Sequence, residues 1–172
     1  YYTEALAGGT IYSASGTIQA PKYINLSGGW LRNVTLLGPG TIFVNGHLGG
    51  GVVNGYPPCT LVVTRNFVTT GGENYTFNPG NDPAPPPSLI SFGPYLEIQG
   101  TSRWNLNGAL VALNPNARIL VNDSAITCIG ALICNGVVEF KSSKGGVGFP
   151  RTLTQRRFTL RGLPVVASYS AQ

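Results

Sequence analysis

The chain has 172 residues, the length of a single domain. Only 10% of them are charged while 42% are hydrophobic, which excludes a disordered polyampholyte. With 24 Gly, 13 Pro and no Met, the composition is that of a turn-rich all-β chain and excludes a helical bundle.

The first quarter repeats a phrase: Gly9-Thr10-Ile11, Gly16-Thr17-Ile18 and Gly40-Thr41-Ile42. Short β-branched or aromatic runs predict strands at 10–12, 23–26, 34–37, 41–44, 52–53 and 61–64, each closed by Gly, Asn or Pro. Tyr56-Pro57-Pro58 interrupts this first stretch of coils, 1–77. Residues 78–95 hold six prolines, which cannot donate to a sheet ladder, and are expected to form a long loop leaving the stack. Later coils are expected over 96–140. There the phrase Gly108-Ala109-Leu110-Val111 returns, starting at position 130, as Gly130-Ala131-Leu132-Ile133. Strands at 118–122 and 137–140 accompany these copies. Residues 141–172 form a basic cap or tail, with one last hairpin expected around 157–160 and 165–169.

A repeat of roughly 20 residues matches one coil of a right-handed, single-stranded parallel β-solenoid, with three short strands and three corners per coil. The alternative is an antiparallel β-sandwich or jelly roll. Asn-Gly occurs at 45–46, 54–55, 107–108 and 135–136 and serves either fold, as a hairpin turn or as a coil corner needing positive φ.

No apolar run approaches the roughly 20 residues of a bilayer span, so this segment is not expected to insert in a membrane. The chain opens on Tyr1-Tyr2 without an initiator Met, as expected of a processed product or an excised piece.

Signatures of catalysis are thin. The acids are Glu4, Glu73, Asp82, Glu97, Asp123 and Glu139. Asp123 and Glu139 are 16 apart and Glu97 and Asp123 are 26 apart, neither near the spacing of 108 to 130 that would stack them. His47, the only histidine, has no nucleophile elbow to serve and reads as an exposed turn residue. Gly49-Gly50-Gly51 lacks the Lys and Ser/Thr of a phosphate loop and reads as a flexible turn. No metal site and no cofactor are implied, and no enzymatic activity is expected.

The net charge of +5 lies in the tail: residues 1–139 are near neutral, while Lys141, Lys144, Arg151, Arg156, Arg157 and Arg161 follow with no acid among them. These six are candidates for holding DNA or an acidic glycan, or for meeting an acidic subunit. The eight Tyr, seven Phe and two Trp read as inward strand residues or corner stacks, with an adhesive or sugar-binding face as the alternative. Cys59, Cys128 and Cys134 are disulfide candidates, although three thiols cannot all pair internally. Cys128 and Cys134 can pair only if the chain turns near Gly130. Sequons at Asn25, Asn33, Asn74 and Asn122 are glycosylation candidates. Together with the low charge they favour an exported protein.

The order of Gly9-Thr10-Ile11-Tyr12, Leu36-Leu37-Gly38-Pro39-Gly40-Thr41-Ile42-Phe43-Val44-Asn45-Gly46, Leu61-Val62-Val63-Thr64, residues 106–117, Gly130-Ala131-Leu132-Ile133 and Arg161-Gly162-Leu163-Pro164 resembles the β-helical C-terminal region of PilX-like minor type IV pilins. Bactofilin-type polymerising β-helices share similar phrases. The N-terminal pilin helix is absent from this chain and the insertion at 78–95 departs from the pattern. The resemblance implies a non-enzymatic, extracellular or cell-surface module of a filament or pilus, with other filament subunits as partners and a role in adhesion or DNA contact. Two alternatives accompany it: a self-assembling filament subunit, and a β-helix polysaccharide lyase or hydrolase.

Overall fold

The computed structural model describes residues 1–49, 52–55, 59–69, 71, 74–77, 86–122 and 125–141, with the backbone alone at 52–55, 74 and 125–130. A short helix, α1 (Tyr2–Ala7), opens the chain. A partial first turn then holds β1 (Thr10–Ile11) and β2 (Gly16–Gln19). In the next turn come β3 (Lys22–Arg32) and β4 (Val34–Leu37), and after them β5 (Gly40–Gly49) and β6 (Val52–Gly55). The third complete turn is β7 (Cys59–Val63), β8 (Phe67–Val68) and β9 (Asn74–Phe77). β10 (Leu89–Ser91), β11 (Tyr95–Gln99) and the start of β12 (Arg103–Ala112) make the fourth. The rest of β12, β13 (Arg118–Asn122) and the start of β14 (Ala125–Cys134) make the fifth, and β15 (Val137–Lys141) closes a partial last turn.

Pairings between described strands are parallel throughout, which selects the solenoid of about five turns over the sandwich. Three faces result. The first stacks residues 22–25, 40–45, 59–63, 89–91, 108–112 and 130–134. The second stacks 30–32, 47–49, 67–68, 95–99, 118–122 and 137–141. The third stacks 16–19, 34–37, 52–55, 74–77, 103–106 and 125–128. The repeated phrase is the register itself: Gly108, Ala109 and Leu110 lie beside Gly130, Ala131 and Leu132.

Side chains alternate inward and outward along each strand. The inward set from all three faces forms one core, including Ile24, Leu36, Ile42, Leu61, Leu89, Leu110 and Ile119. Its centre is aromatic: Trp104 packs 4.5 Å from Tyr75, its direct neighbour in register, and 5.1 Å from Phe67. The first face is apolar on its outer side as well, where Val62, Ile90, Ala109 and Val111 are buried. At the corner that leaves this face, Asn45 donates to the Asn25 side chain at 3.0 Å and accepts from Thr64 at 3.2 Å, so polar side chains one turn apart satisfy one another.

Three expectations need correction. The first residues form α1, which the sequence reading did not anticipate. The helix is anchored by tertiary contacts: Glu4 accepts from the Thr41 amide (3.1 Å) and hydroxyl (2.7 Å), and Tyr2 packs edge-on against Tyr23 and Phe43. Of the expected loop at 78–95, residues 78–85 lie outside the described residues, and the remainder is not all loop. Leu89-Ile90-Ser91 carry amide donors between Pro87 and Pro94, and as β10 they rejoin the first face beside Leu61 and Leu110. Finally, Asn-Gly serves the corners by two different means. Gly108 does adopt φ +133°, but at Gly46 and Gly136 the need is space: a Cβ would lie 2.5 Å from Gly29 O and 2.1 Å from Ala117 O.

Candidate functional site: a ridge on the second face

The parallel register sets outward side chains of the second face in rows, one rung roughly 4.8 Å from the next. One row runs Trp30, His47, Asn66, Tyr95, Arg118, Val137. The row beside it runs Arg32, Gly49, Val68, Glu97, Leu120, Glu139.

At the N-terminal end of these rows, Trp30 and His47 stack with ring centroids 4.6 Å apart and planes 14° apart. The Arg32 guanidinium lies 4.8 Å from the Trp30 ring centre, a cation–π contact. Gly49 makes room for the indole, because a Cβ there would meet its ring carbons at 2.7 Å. Trp30 nevertheless stays 44% exposed, a large ring held in place at the surface. His47 is therefore not a turn residue. It sits in β5, and its Nδ1 accepts the Asn66 amide at 3.2 Å. That bond leaves the neutral imidazole proton on Nε2.

Burial, reinforced by the Arg65 charge, lowers the His47 pKa from the ordinary 6.5. Among the described residues the charge that acts on it is Arg65, with Arg32 on the Trp30 ring against which it stacks; both are cationic, so protonation is opposed in the folded state alone. Between the lowered folded pKa and the unfolded value the unfolded chain binds the extra proton, and stability falls as the pH drops below about 6.5. The His47 ring resonances are expected to titrate with a midpoint below 6.5. The melting temperature of His47→Gln is expected to fall less than that of the parent between pH 7.5 and 5.5. A midpoint at or above 6.5 contradicts this.

The far end of the rows is charge-paired. Arg118 donates to Glu139 at 2.8 Å and Lys141 lies 3.3 Å from the same carboxylate. Both cations hold Glu139 below the usual carboxylate range, the hydrogen bond from Arg118 most strongly. Glu97 and Glu139 share one row with Leu120 between them, two rungs or roughly 10 Å apart. The spacing from Gly108 to Gly130, applied twice from Glu97, overshoots Glu139, because the turn from Leu120 to Glu139 is short.

Of the six basic candidates, Lys141 is the one described, and it is engaged by Glu139. Lys144, Arg151, Arg156, Arg157 and Arg161 lie outside the described residues, as do the expected hairpin and Asp123. Cys59 stands three rungs from β14, about 14 Å of axial rise, too far to bridge Cys128 or Cys134. Burial pushes the Cys59 thiol up to about 11, with the Glu4 charge adding to the effect. Cys128 and Cys134 both belong to β14, where they pair with Leu106 and Ala112. The Cys134 thiol is free and points at the Ala117 and Val137 carbonyls, 3.6 and 3.5 Å away. Among the sequons, Asn33 is exposed at a corner with φ 53°, whereas the Asn25 oxygen accepts from Asn45 and Ser27. Asn122 is half-buried beside Gln99 and Lys141, and of Asn74 only the backbone is described.

Among the described residues no group of three or more His, Cys, Asp and Glu gathers to hold a metal, and no helix is long and apolar enough to cross a membrane. The chain matches no protein-family model, no curated protein and no solved structure. The solenoid class therefore rests on its own parallel register and three-faced core.

Proposed function

We propose that this chain is a non-enzymatic structural and adhesive module of an extracellular filament, of the kind the resemblance to PilX-like minor pilins implies. The observation that carries this reading is the parallel pairing of the described strands through about five turns. It joins three faces through a single core and makes a stiff rod with fixed outer rows. The engagement of Glu139 by Arg118 and Lys141 also weighs against an acid/base role for that carboxylate. Beads coated with the chain are expected to be retained under flow on polysaccharide- or cell-coated surfaces, compared with albumin-coated beads. Equal release from every surface overturns the adhesive reading.

One observation favours a second reading, a self-assembling filament subunit. β15 pairs only with β13 among the described strands, and Val137, Val138 and Phe140 on it are 55%, 39% and 44% exposed. Among the described residues this last rung is open, an edge that another copy can extend. Negative-stain electron microscopy in low and near-physiological salt tests this: filaments that disperse on Val138→Lys select it, and particles that never assemble reject it.

A further inference from the structure

Among the described residues the ridge at Trp30 is rich in donors and poor in acceptors. Arg32 and Arg65 are exposed, and among the described residues neither has a carboxylate partner. His47, with Nδ1 occupied by the Asn66 amide, offers Nε2–H. Trp30 adds an exposed indole that is already ordered by its stack on His47 and by the seat over Gly49. In these two rows the nearest described acid is Glu97, two rungs beyond Gly49. Two exposed guanidinium groups without a carboxylate partner among the described residues, Arg32 over the Trp30 ring and Arg65 beside Gly28 just before it, are complementary to an anion with planar carboxylate geometry, which Arg binds in bidentate fashion.

The rows also say what kind of anion. The positive spot is short, and farther along the same face carries Glu97 and Glu139. A nucleic acid needs a longer basic strip to neutralise successive phosphates, and these carboxylates would repel it. A sugar chain with one carboxylate among many hydroxyls suits the pattern. Its acid would meet Arg32 and Arg65, and its hydroxyls would meet His47 Nε2–H, the Asn66 side chain and Tyr95, the last three rungs from Trp30 at about 14 Å.

We infer that the Trp30–His47–Arg32–Arg65 ridge binds a uronate-bearing glycan laid along the solenoid axis. This rests on the adhesive reading and names its ligand class, and it moves the acidic-glycan contact from the basic tail to the second face.

The test is a titration of the full chain with trigalacturonate, read by tryptophan fluorescence. Trp30 and Trp104 are the only tryptophans, and Trp104 is buried, so a ligand on the ridge perturbs Trp30 alone. Saturable quenching is expected in the parent and in Trp104→Phe. A tenfold or greater loss of affinity is expected in Arg32→Gln and Arg65→Gln, with melting temperatures unchanged. Unchanged affinity in both Arg variants, equal binding of the neutral maltotriose, or tighter binding of a DNA duplex would each overturn the inference. If beads are retained on surfaces while the trimer does not bind, the ridge assignment fails and the adhesive reading stands.

Discussion

Trp104→Ala is expected to be the most damaging single substitution in the described core. The indole is 1% exposed, lies directly over Tyr75 in register, and touches Phe67 from the second face and Phe77 from its own. Truncation leaves a cavity beside three rings of the neighbouring turn, which the parallel register holds in place and keeps from closing over it. Aromatic-to-alanine changes of this kind cost about 3–5 kcal/mol. Against a total stability of roughly 5–15 kcal/mol, that corresponds to a melting point lower by about 6–20 °C for a domain of this size. Trp104→Phe should lose much less, because it keeps the ring contacts and the indole nitrogen has no hydrogen-bond partner among the described residues. Calorimetry of the three proteins decides the matter, and a loss below about 1 kcal/mol in Trp104→Ala would mean the aromatic slab is not the core's centre.

A second large effect is expected at Gly108, for a different reason. Its φ of +133° is strained for any residue with a Cβ, and that Cβ would sit 2.4 Å from the Pro86 carbonyl oxygen and 3.0 Å from Ser88 Oγ. Backbone must move on one side or the other. Gly16 supplies the control: its φ is +72°, yet nothing lies within 4 Å of the position a Cβ would take. Gly16→Ala should therefore show conformational strain alone, about 1 kcal/mol, whereas Gly108→Ala adds the collision and should cost about 3 kcal/mol or more. Chemical denaturation of the two variants separates the contributions. Equal losses would show that crowding by Pro86 contributes nothing.

These two glycines also mark where reading the sequence stops. Both look alike as letters, one in Gly-Thr-Ile and one in Asn-Gly. The turn that brings Pro86 against one and leaves the other open is a tertiary fact. The strands at 34–37 and 118–122 were legible with their boundaries, since β-branched and aliphatic residues between Gly, Asn and Pro leave a short extended segment little alternative. The helix α1 was not legible: so short a segment cannot show a helical period, and Glu4 reaches Thr41 only because the solenoid places that residue beneath it.

The candidate ridge was hidden for a related reason. Trp30 and His47 stand closer in sequence than Gly108 and Gly130, and Glu97 and Glu139 are two unequal turns apart, so no single period aligns all of these pairs. Composition, punctuation and the clean return of Gly-Ala-Leu favoured a stacked, three-stranded coil over an antiparallel sandwich, because strand-forming runs that recur at the length of one coil can bury their apolar sides by stacking on their own repeats. Which outward side chains meet was decided by the tertiary structure alone. Corner lengths vary from turn to turn, and hydrogen-bond register, insensitive to the outward residues, fixes how far each turn slides against the next.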